Sequence, residues 1–351
     1  MPAFCQHLNI AYPIIQAPMA GTATPALAAA VSNAGALGSI SIAAVAADAG
    51  RAMIRQVREA TARPFNVNVF CHRPTVPNPE VEQAWLKHLE PFFTELGAPT
   101  PGGLEDIYTS FYHDDAQLQV LLDERPAVVS FHLGLPPQAR IDALKDAGIT
   151  LFASATCLEE ALRVQAAGID YVVAQGIEAG GHRGVFDAEA SDSQLPTRAL
   201  VQALVAGLDI PVIAAGGLMD GADIAAMLAL GAVAGQLGTA FLLCPESAAS
   251  ALYREQLASP RAAHTALTRV ISGRPARGLV NRFMQAVGAP GHPEVPGFGI
   301  AYDAGKQLIA AAAKAGNGEF AAHWAGQQAS RARAMPAAQL VQALNEEWLR
   351  A

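Results

Sequence analysis

The chain has 351 residues, of which 52% are apolar and 15% are charged, and its formal net charge is −8. This composition predicts a large globular core, and an acidic chain without a basic block argues against a nucleic-acid-binding protein. No run of about 18 uninterrupted apolar residues occurs, so we expect no membrane span.

The N-terminal stretch and the cysteines indicate a cellular compartment. The segment MPAFCQHLNIAYP has no basic start followed by an apolar run, so we expect no secretion signal. The cysteines Cys5, Cys71, Cys157 and Cys244 are scattered singly, which fits neither a zinc site nor a disulfide framework. We therefore expect reduced thiols, no bound metal and a cytoplasmic protein.

One pattern repeats along the chain: a short apolar, β-branched run is followed by an alanine-rich helical segment. The predicted strands lie at residues 13–19, 37–41, 65–70, 127–133, 150–155, 171–175, 211–215 and 234–238. Helices are predicted between them, most clearly at residues 24–33, 158–167 and 220–230. Alternation of this kind predicts a parallel sheet with both faces covered, and eight strands favour a closed (β/α)₈ TIM barrel over a doubly wound sheet.

Two segments exceed a minimal barrel. Residues 71–125, between the third and fourth strands, are rich in proline and aromatic residues and predict a lid-like insertion. The tail after residue 244 has a mostly helical pattern. We therefore expect a barrel over residues 1–244 with the insertion within it, and a C-terminal helical extension over 245–351 packed at the barrel mouth.

Glycines follow the last two predicted strands. In such barrels the C-terminal strand ends carry the function, and phosphate binds after the seventh and eighth strands. Gly216 and Gly217 follow the seventh strand, and Gly238 and Thr239 follow the eighth. Bare backbone N–H groups, the Thr239 hydroxyl and a following helix N-terminus would suit a phosphate. The alternative for the glycine pair is a plain tight turn.

Amides are predicted at two other strand ends. Asn68 and Gln175 would point inward, and an amide offers both a donor and an acceptor, which suits a planar heterocycle such as a flavin. The alternative is a polar barrel layer satisfied internally. Met19, after the first strand, would give a soft apolar surface for a ring or would simply pack in the core.

The loop after the sixth strand, GGHRG, holds the strongest acid–base candidate. His182 follows two glycines that allow a tight fold over a ligand, and histidine exchanges protons near neutral pH. His132, at the end of the fourth strand, is a second candidate, although a core histidine bonded to backbone explains it equally well. Arg183 would bind an anion or pair with Asp187.

A further cluster lies in the tail. Phe298, Tyr302 and Lys306 are spaced by four residues and would share one helix face. From that face, Tyr302 and Lys306 would reach the barrel mouth and meet a carboxylate. The alternative is an ordinary amphipathic helix edge.

At this point the sequence resembles a known family, the nitronate monooxygenases, once called 2-nitropropane dioxygenases. The segments that carry the resemblance are QAPMAG (16–21), AAVSNAGALG (29–38), FNVNVF (65–70), SFHLGLP (130–136), AQGIEAGGHRG (174–184), AAGGLMDG (214–221), QLGTAFL (236–242) and AYDAGK (301–306). They follow one another through most of the chain. FNVN, the GGHRG loop and the tail together resemble the bacterial and fungal class I group best.

The resemblance implies a (β/α)₈ barrel with non-covalent FMN. It implies a phosphate region formed by Gly180, Gly217, Gly238 and Thr239, and FMN contacts from Ala17, Met19, Asn68, Gln175 and Gln236. His182 matches the family's catalytic histidine. Tyr302 and Lys306 match residues near the substrate pocket, where His132 is our further substrate-binding candidate.

The implied reaction is oxidation of an alkyl nitronate by O₂, started by one-electron transfer from the nitronate to FMN. Propionate 3-nitronate is the expected substrate, giving malonic semialdehyde with nitrite and nitrate. The main alternative is an FMN enzyme of the same fold that uses NAD(P)H, either a quinone reductase or an enoyl-acyl carrier protein reductase. A non-catalytic sensor that keeps barrel and ligand is a third possibility, against which His182 argues.

Overall fold

The structure is a computed structural model and describes residues 2–351. Its strands are β1 (Ile14–Gln16), β2 (Gly38–Ser41), β3 (Phe65–Phe70), β4 (Val128–His132), β5 (Thr150–Ala155), β6 (Tyr171–Gln175), β7 (Gly181–His182), β8 (Val212–Ala215), β9 (Ala234–Leu237), β10 (Thr265–Thr268) and β11 (Ala276–Leu279). Its helices are α1 (Ala3–Leu8), α2 (Pro25–Asn33), α3 (Ala47–Ala60), α4 (Pro79–Glu95), α5 (Asp115–Glu124), α6 (Gln138–Asp146), α7 (Leu158–Ala166), α8 (Thr197–Gly207), α9 (Gly221–Ala229), α10 (Ala251–Leu257), α11 (Ile300–Lys314) and α12 (Ala337–Arg350).

Eight parallel strands form a closed barrel. Their order around the sheet is β1-β9-β8-β6-β5-β4-β3-β2, and a parallel bridge between Ile15 and Leu37 joins β1 to β2 and completes the circle. Each of these strands lies within one of the eight predicted ranges. The predicted (β/α)₈ barrel is therefore confirmed.

Helices cover the barrel, and local sequence signals fix where they begin. Thr24 caps α2 by accepting a hydrogen bond from the Leu27 N–H at 3.0 Å, and Pro25 follows it. Asp220 caps α9 through a capping box with Asp223. Caps of this kind stabilise a helix by about 1 kcal/mol each.

The last helix of the chain belongs to the barrel. Leu340 and Leu344 of α12 are fully buried in the same core as Leu27 of α2 and Ile224 of α9. Helix α12 thus packs between α2 and α9 and fills the position of the eighth barrel helix. The expected boundary at residue 244 shifts accordingly, because the extension is inserted between β9 and this final helix.

The segment 71–125 also contains a barrel helix. Helix α5 packs against α3 and α6, as the helix between β3 and β4 must, whereas α4 packs against α11 of the extension. Within the segment 71–125, the part outside the barrel is therefore residues 71–114, which lie against the C-terminal extension.

The extension is not helical throughout. Strands β10 and β11 form an antiparallel pair, and β11 continues onto β7, where Ala276 is opposite His182. The mostly helical prediction missed this sheet because its strands pair with a two-residue strand in a distant loop. The sheet fixes the loop that follows β6. Within residues 2–351, no helix combines the length and apolarity needed to cross a membrane.

Candidate functional site

A cavity of about 710 Å³ opens at the C-terminal end of the barrel. All thirteen predicted site residues line it: Ala17, Met19, Asn68, His132, Gln175, Gly180, His182, Gly217, Gln236, Gly238, Thr239, Tyr302 and Lys306. Although the chain is acidic overall, no Asp or Glu is among the described residues that line the cavity, and Lys306 is their one side chain with a full charge. The cavity therefore favours anions.

Gln175 holds the loop that carries His182. Its Oε1 atom accepts a hydrogen bond from the Gly184 N–H at 2.7 Å, and its Nε2 atom donates to the His182 carbonyl at 3.0 Å. The Gln175 amide is thus satisfied within the protein, as one of the two interpretations expected.

Arg183 is a structural residue. It is completely buried, its guanidinium pairs with both carboxylate oxygens of Asp192 at 2.8 and 3.0 Å, and it donates to the carbonyls of Gln175 and Gly176. The predicted alternatives, an anion ligand or a pair with Asp187, are both wrong, because the loop turns the side chain inward beneath the end of β6. Arg183 therefore clamps the loop to the barrel.

The His182 ring is enclosed by aromatic side chains but keeps a face on the cavity. Its centre lies 5.3 Å from that of Phe298, 5.4 Å from Trp324 and 5.8 Å from Tyr302. Burial is the main reason that the pKa of His182 falls to about 3, and His132 and Arg274 lower it further. The imidazole is therefore neutral at ordinary pH.

His132 supports His182. Its Nε2 atom lies 3.1 Å from the His182 carbonyl oxygen, and its Nδ1 atom lies 2.9 Å from the Ser154 hydroxyl. Because a carbonyl only accepts, Nε2 carries the hydrogen and Nδ1 accepts from Ser154. Both ring nitrogens are engaged within the protein, which favours the backbone-bonded interpretation of His132.

The remaining amides differ in what they leave free. Asn68 accepts from the Ser41 hydroxyl at 3.1 Å and donates to the Ser130 carbonyl at 3.0 Å, so its hydrogen bonds are made internally. Gln236 has no hydrogen-bonding partner for its side chain among residues 2–351 and lines the cavity. Its amide is available to a ligand.

The predicted phosphate region keeps bare backbone, with one difference. Gly217 has a φ of 73°, which favours glycine, and at Gly238 an added Cβ would meet nothing closer than 3.5 Å. The Thr239 hydroxyl accepts from the Gly326 N–H at 3.0 Å and keeps its own hydrogen for a ligand. The expected helix after β9 is only the 3₁₀ turn Thr239–Phe241, because the chain leaves the barrel for the extension here.

Gly180 serves chain packing. A Cβ at this position would lie 2.5 Å from the backbone of Ala325 and Gly326, so only glycine lets the C-terminal segment pack against the loop. Gly181, in contrast, has a φ of 75° and open space around it. Glycine is therefore favoured at the two positions before His182 for different reasons, close packing at Gly180 and a positive φ at Gly181.

The tail cluster reaches the cavity, but Phe298 is not on its helix. Helix α11 begins after Gly299, whose φ of 92° breaks the pattern, so the predicted shared helix face holds for Tyr302 and Lys306 alone. Tyr302 accepts from the Trp324 indole N–H at 3.2 Å, which leaves its own hydroxyl hydrogen free. The Lys306 ammonium lies 4.7 Å from the ring centre of Tyr108.

Several residues at the site escaped the sequence analysis. Ser272 contacts the His182 ring, with 2.9 Å between its Oγ and Nε2, and Tyr108 and Trp324 line the cavity. Aromatic richness marked the segment of Tyr108, but nothing in the sequence linked Ser272 to a histidine 90 positions away. Only the pairing of β11 with β7 brings them together.

Comparison with known proteins agrees with this geometry. The model of the nitronate monooxygenase family matches residues 2–347. The chain belongs to the nitronate monooxygenase family. It is 57% identical over 344 residues to a nitronate monooxygenase of Pseudomonas aeruginosa, covering 98% of each chain, and 56% identical over 340 residues to one of Paraburkholderia phytofirmans, covering 97% of this chain and 93% of the other.

A solved structure shares the fold of this chain. The nitroalkane oxidase from Streptomyces ansochromogenes superposes with a TM-score of 0.89 at 39% identity, covering 99% of this chain and 98% of that one. As a member of the nitronate monooxygenase family, the chain is an oxidoreductase, and the family is generally flavin-dependent.

Proposed function

We propose that the protein oxidises alkyl nitronates with O₂ in an FMN-dependent reaction, giving the carbonyl compound with nitrite and nitrate. One observation carries the proposal. The chain has a net charge of −8, yet the residues from 2–351 that line its cavity include no carboxylate, one lysine and His182. Such a cavity suits a small anion beside an acid–base group. The relatives named nitronate monooxygenase support the same chemistry.

The residues present fit an FMN. Gly217, Gly238 and Thr239 offer backbone N–H groups and a free hydroxyl where a phosphate would bind, and no described residue that lines the cavity brings a competing carboxylate. The free amide of Gln236, with Ala17 and Met19 beside it, suits the ring and ribityl chain. When bound there, FMN would supply the electron acceptor for the nitronate.

The substrate proposal is propionate 3-nitronate, which carries a carboxylate in addition to the nitronate group. Lys306 forms no ion pair among residues 2–351, and the free hydroxyl hydrogen of Tyr302 lies near it. Burial lowers the pKa of Lys306 and raises that of Tyr302, so a bound carboxylate would meet poorly solvated donors. We propose that these two residues bind the distal carboxylate.

We also propose that residues 71–114 act as the lid-like part of the protein together with the C-terminal extension. Tyr108 from the first and Tyr302 from the second lie on the same side of the cavity, with ring centres 5.8 Å apart. This wall separates the reacting groups from water, which strengthens charge interactions within the cavity.

The test begins with the visible spectrum of the purified protein. A flavin spectrum, with oxygen uptake and nitrite release on adding propionate 3-nitronate in air, is the expected result. The competing function, NAD(P)H-dependent reduction of a quinone or an enoyl thioester, predicts instead that NADH bleaches the flavin rapidly without oxygen and that nitronate has no effect. That second pattern would overturn the proposal, and so would a colourless protein that takes up no FMN.

A further inference from the structure

The His182 ring has one hydrogen-bonding partner within the described chain, the Ser272 hydroxyl. Nε2 of His182 lies 2.9 Å from Oγ of Ser272, and that Oγ lies 3.2 Å from the Arg274 carbonyl oxygen. Ser272 is completely buried. The three groups form a chain that leads from the cavity wall into the protein.

The directions of these hydrogen bonds follow from their chemistry. A serine hydroxyl has one hydrogen to donate, and a backbone carbonyl can only accept. Ser272 therefore donates to the Arg274 carbonyl, and the hydrogen between His182 and Ser272 must come from Nε2. Any other arrangement would leave one contact of this buried hydroxyl without a hydrogen.

The other ring nitrogen is left for the cavity. Because the imidazole is neutral, a hydrogen on Nε2 leaves a lone pair on Nδ1. Nδ1 has no hydrogen-bonding partner among residues 2–351. It is also not one of their fully buried polar atoms without a partner, so it remains accessible. A lone pair exposed to a cavity can accept a proton, but it cannot donate a hydrogen bond to an anion. The low pKa makes the free ring a weak base, and the nitronate anion that forms beside it would favour the imidazolium, since an opposite charge nearby raises the pKa of a histidine.

Ser272 is held firmly enough to perform this role. It lies between Arg269, whose carbonyl accepts from its backbone N–H at 3.3 Å, and Gly273, which has a φ of 82°. A Cβ at Gly273 would lie 2.5 Å from the Pro296 carbonyl oxygen, so the turn is packed against a second segment. The neighbouring β11 pairs with β7, which carries His182 itself.

We propose that Ser272 is a positioning residue that keeps His182 in the Nε2–H form, so that Nδ1 accepts a proton from neutral nitroalkanes. This rests on the proposed function and adds to it the residue that sets the tautomer of His182. Ser272 acts through His182 and does not touch the substrate.

The proton transfer balances without another reactant. The bond between the α-carbon and its hydrogen breaks, its electron pair forms the C=N bond of the nitronate, and the negative charge moves to the nitro oxygens. The proton passes to Nδ1 of His182, and the resulting imidazolium still donates from Nε2 to Ser272. Water takes the proton once the product has left. A nitronate added as such bypasses this step.

Nitroethane must lose a proton and ethyl nitronate need not, so comparing the two substrates tests the role of Ser272. In the flavin-loaded enzyme, Ser272→Ala should lower kcat/KM for nitroethane by about tenfold to a hundredfold, part of the roughly 10²–10⁴ that a positioned general base contributes. It should change kcat/KM for ethyl nitronate by less than about threefold, because a preformed nitronate needs no base. Ser32→Ala is the matched control: Ser32 is also buried and bonds to two backbone groups, Pro64 and Gly38, but lies outside the cavity. It should leave both activities unchanged.

A second measurement needs neither turnover nor a variant at Ser272. In ¹⁵N NMR spectra of histidine-labelled wild-type protein at pH 7, the His182 signals, assigned by their loss in His182→Asn, should show hydrogen on Nε2 and a lone pair on Nδ1. Hydrogen on Nδ1 would overturn the proposal. Equal loss of both activities in Ser272→Ala would show a merely structural role, and undiminished nitroethane turnover would also contradict it.

The two proposals fail in different ways. If wild-type protein oxidises ethyl nitronate but not nitroethane, the proposed function stands and the role of His182 as a base is wrong. If it oxidises neither substrate nor propionate 3-nitronate, the proposed function fails, and the proton-acceptor role of His182 towards nitroalkanes fails with it.

Discussion

The Nζ atom of Lys306 lies 5.2 Å from the ring centre of Tyr302, one helical turn earlier on α11. No carboxylate within residues 2–351 pairs with this ammonium, although other basic side chains of the described chain do form ion pairs, such as Arg350 with Glu346. The aromatic ring orients a charge that the protein itself does not neutralise. A ligand carboxylate would complete the arrangement.

Replacing Lys306 should therefore act on binding. Lys306→Met should raise KM for propionate 3-nitronate by about tenfold to a hundredfold, since a hydrogen bond to a charged group contributes about 1.5–3 kcal/mol, with little change in kcat. Steady-state oxygen uptake measures both constants. Lys314→Met, at the exposed end of the same helix, is the control and should behave as wild type. An unchanged KM in the Lys306 variant would remove the carboxylate from this position.

His182 should be needed for turnover but not for the flavin. His182→Asn should keep the yellow colour and lose about two to four orders of magnitude in kcat/KM for nitroethane, because the proton acceptor is gone. The absorption spectrum and oxygen uptake give the two readouts. The exposed His264, which lies outside the cavity, provides a control variant, His264→Asn. Normal turnover by His182→Asn would mean that this histidine is not the proton acceptor.

Arg183 should stabilise the protein through a buried ion pair. Arg183→Met should lower the free energy of unfolding by about 3–5 kcal/mol, because it leaves the carboxylate of Asp192 without its partner beneath β6. Urea denaturation measures the change. Arg350→Met, which breaks an exposed pair with Glu346 on α12, should cost less than about 0.5 kcal/mol. Similar losses in the two variants would contradict the clamp.

The sequence predicted the barrel and most of the cavity because both depend on local patterns. Each strand is a short run of apolar residues, and function in such a barrel gathers at strand ends, so position along the chain was enough to select residues such as Gly238 and His182. The strand-end rule does not say which hydrogen bonds an amide will make. Gln175 was expected either to face a flavin or to be satisfied within the protein, and its amide makes internal hydrogen bonds that hold the loop of His182.

Contacts between segments that are distant in the sequence could not be predicted from those local patterns. Ser272 meets His182 only because β11 pairs with β7, and Leu340 enters the barrel core only because α12 returns to fill the eighth helix position. Phe298 was placed on a helix by its spacing, but that helix begins only at Ile300, after Gly299. In each case the deciding interaction is long-range or depends on one backbone angle.

The buried histidines should make the protein sensitive to acid. Burial lowers the pKa of His72 and of His132 to about 4, below the unfolded value of 6.5. Between these pH values the unfolded chain binds more protons than the folded one, so the free energy of unfolding rises with pH up to about 6.5 and then levels off. Acidification from pH 6 to pH 5 should therefore destabilise the protein.

His72 allows this pH dependence to be assigned. His72→Gln removes this titrating group, and the edge contact of its ring with Phe298 that is lost as well lowers the free energy of unfolding without adding a titration of its own. The slope of unfolding free energy against pH between 5 and 6 should fall by about 1.2 kcal/mol per pH unit, because the unfolded chain binds nearly one proton more at this position than the folded one. Urea denaturation at several pH values measures the slope, and an unchanged slope would show that His72 titrates normally in the folded protein.

The most direct test compares two nitronates that differ only at the far end. Oxygen uptake should be measured with propionate 3-nitronate and with the nitronate of 1-nitropropane, in which a methyl group replaces the carboxylate. Among residues 2–351 the cavity has no carboxylate and Lys306 has no ion-pair partner, which predicts oxidation of both nitronates, with kcat/KM at least about tenfold higher for propionate 3-nitronate. Equal values, or no oxygen uptake with either nitronate, would contradict the account.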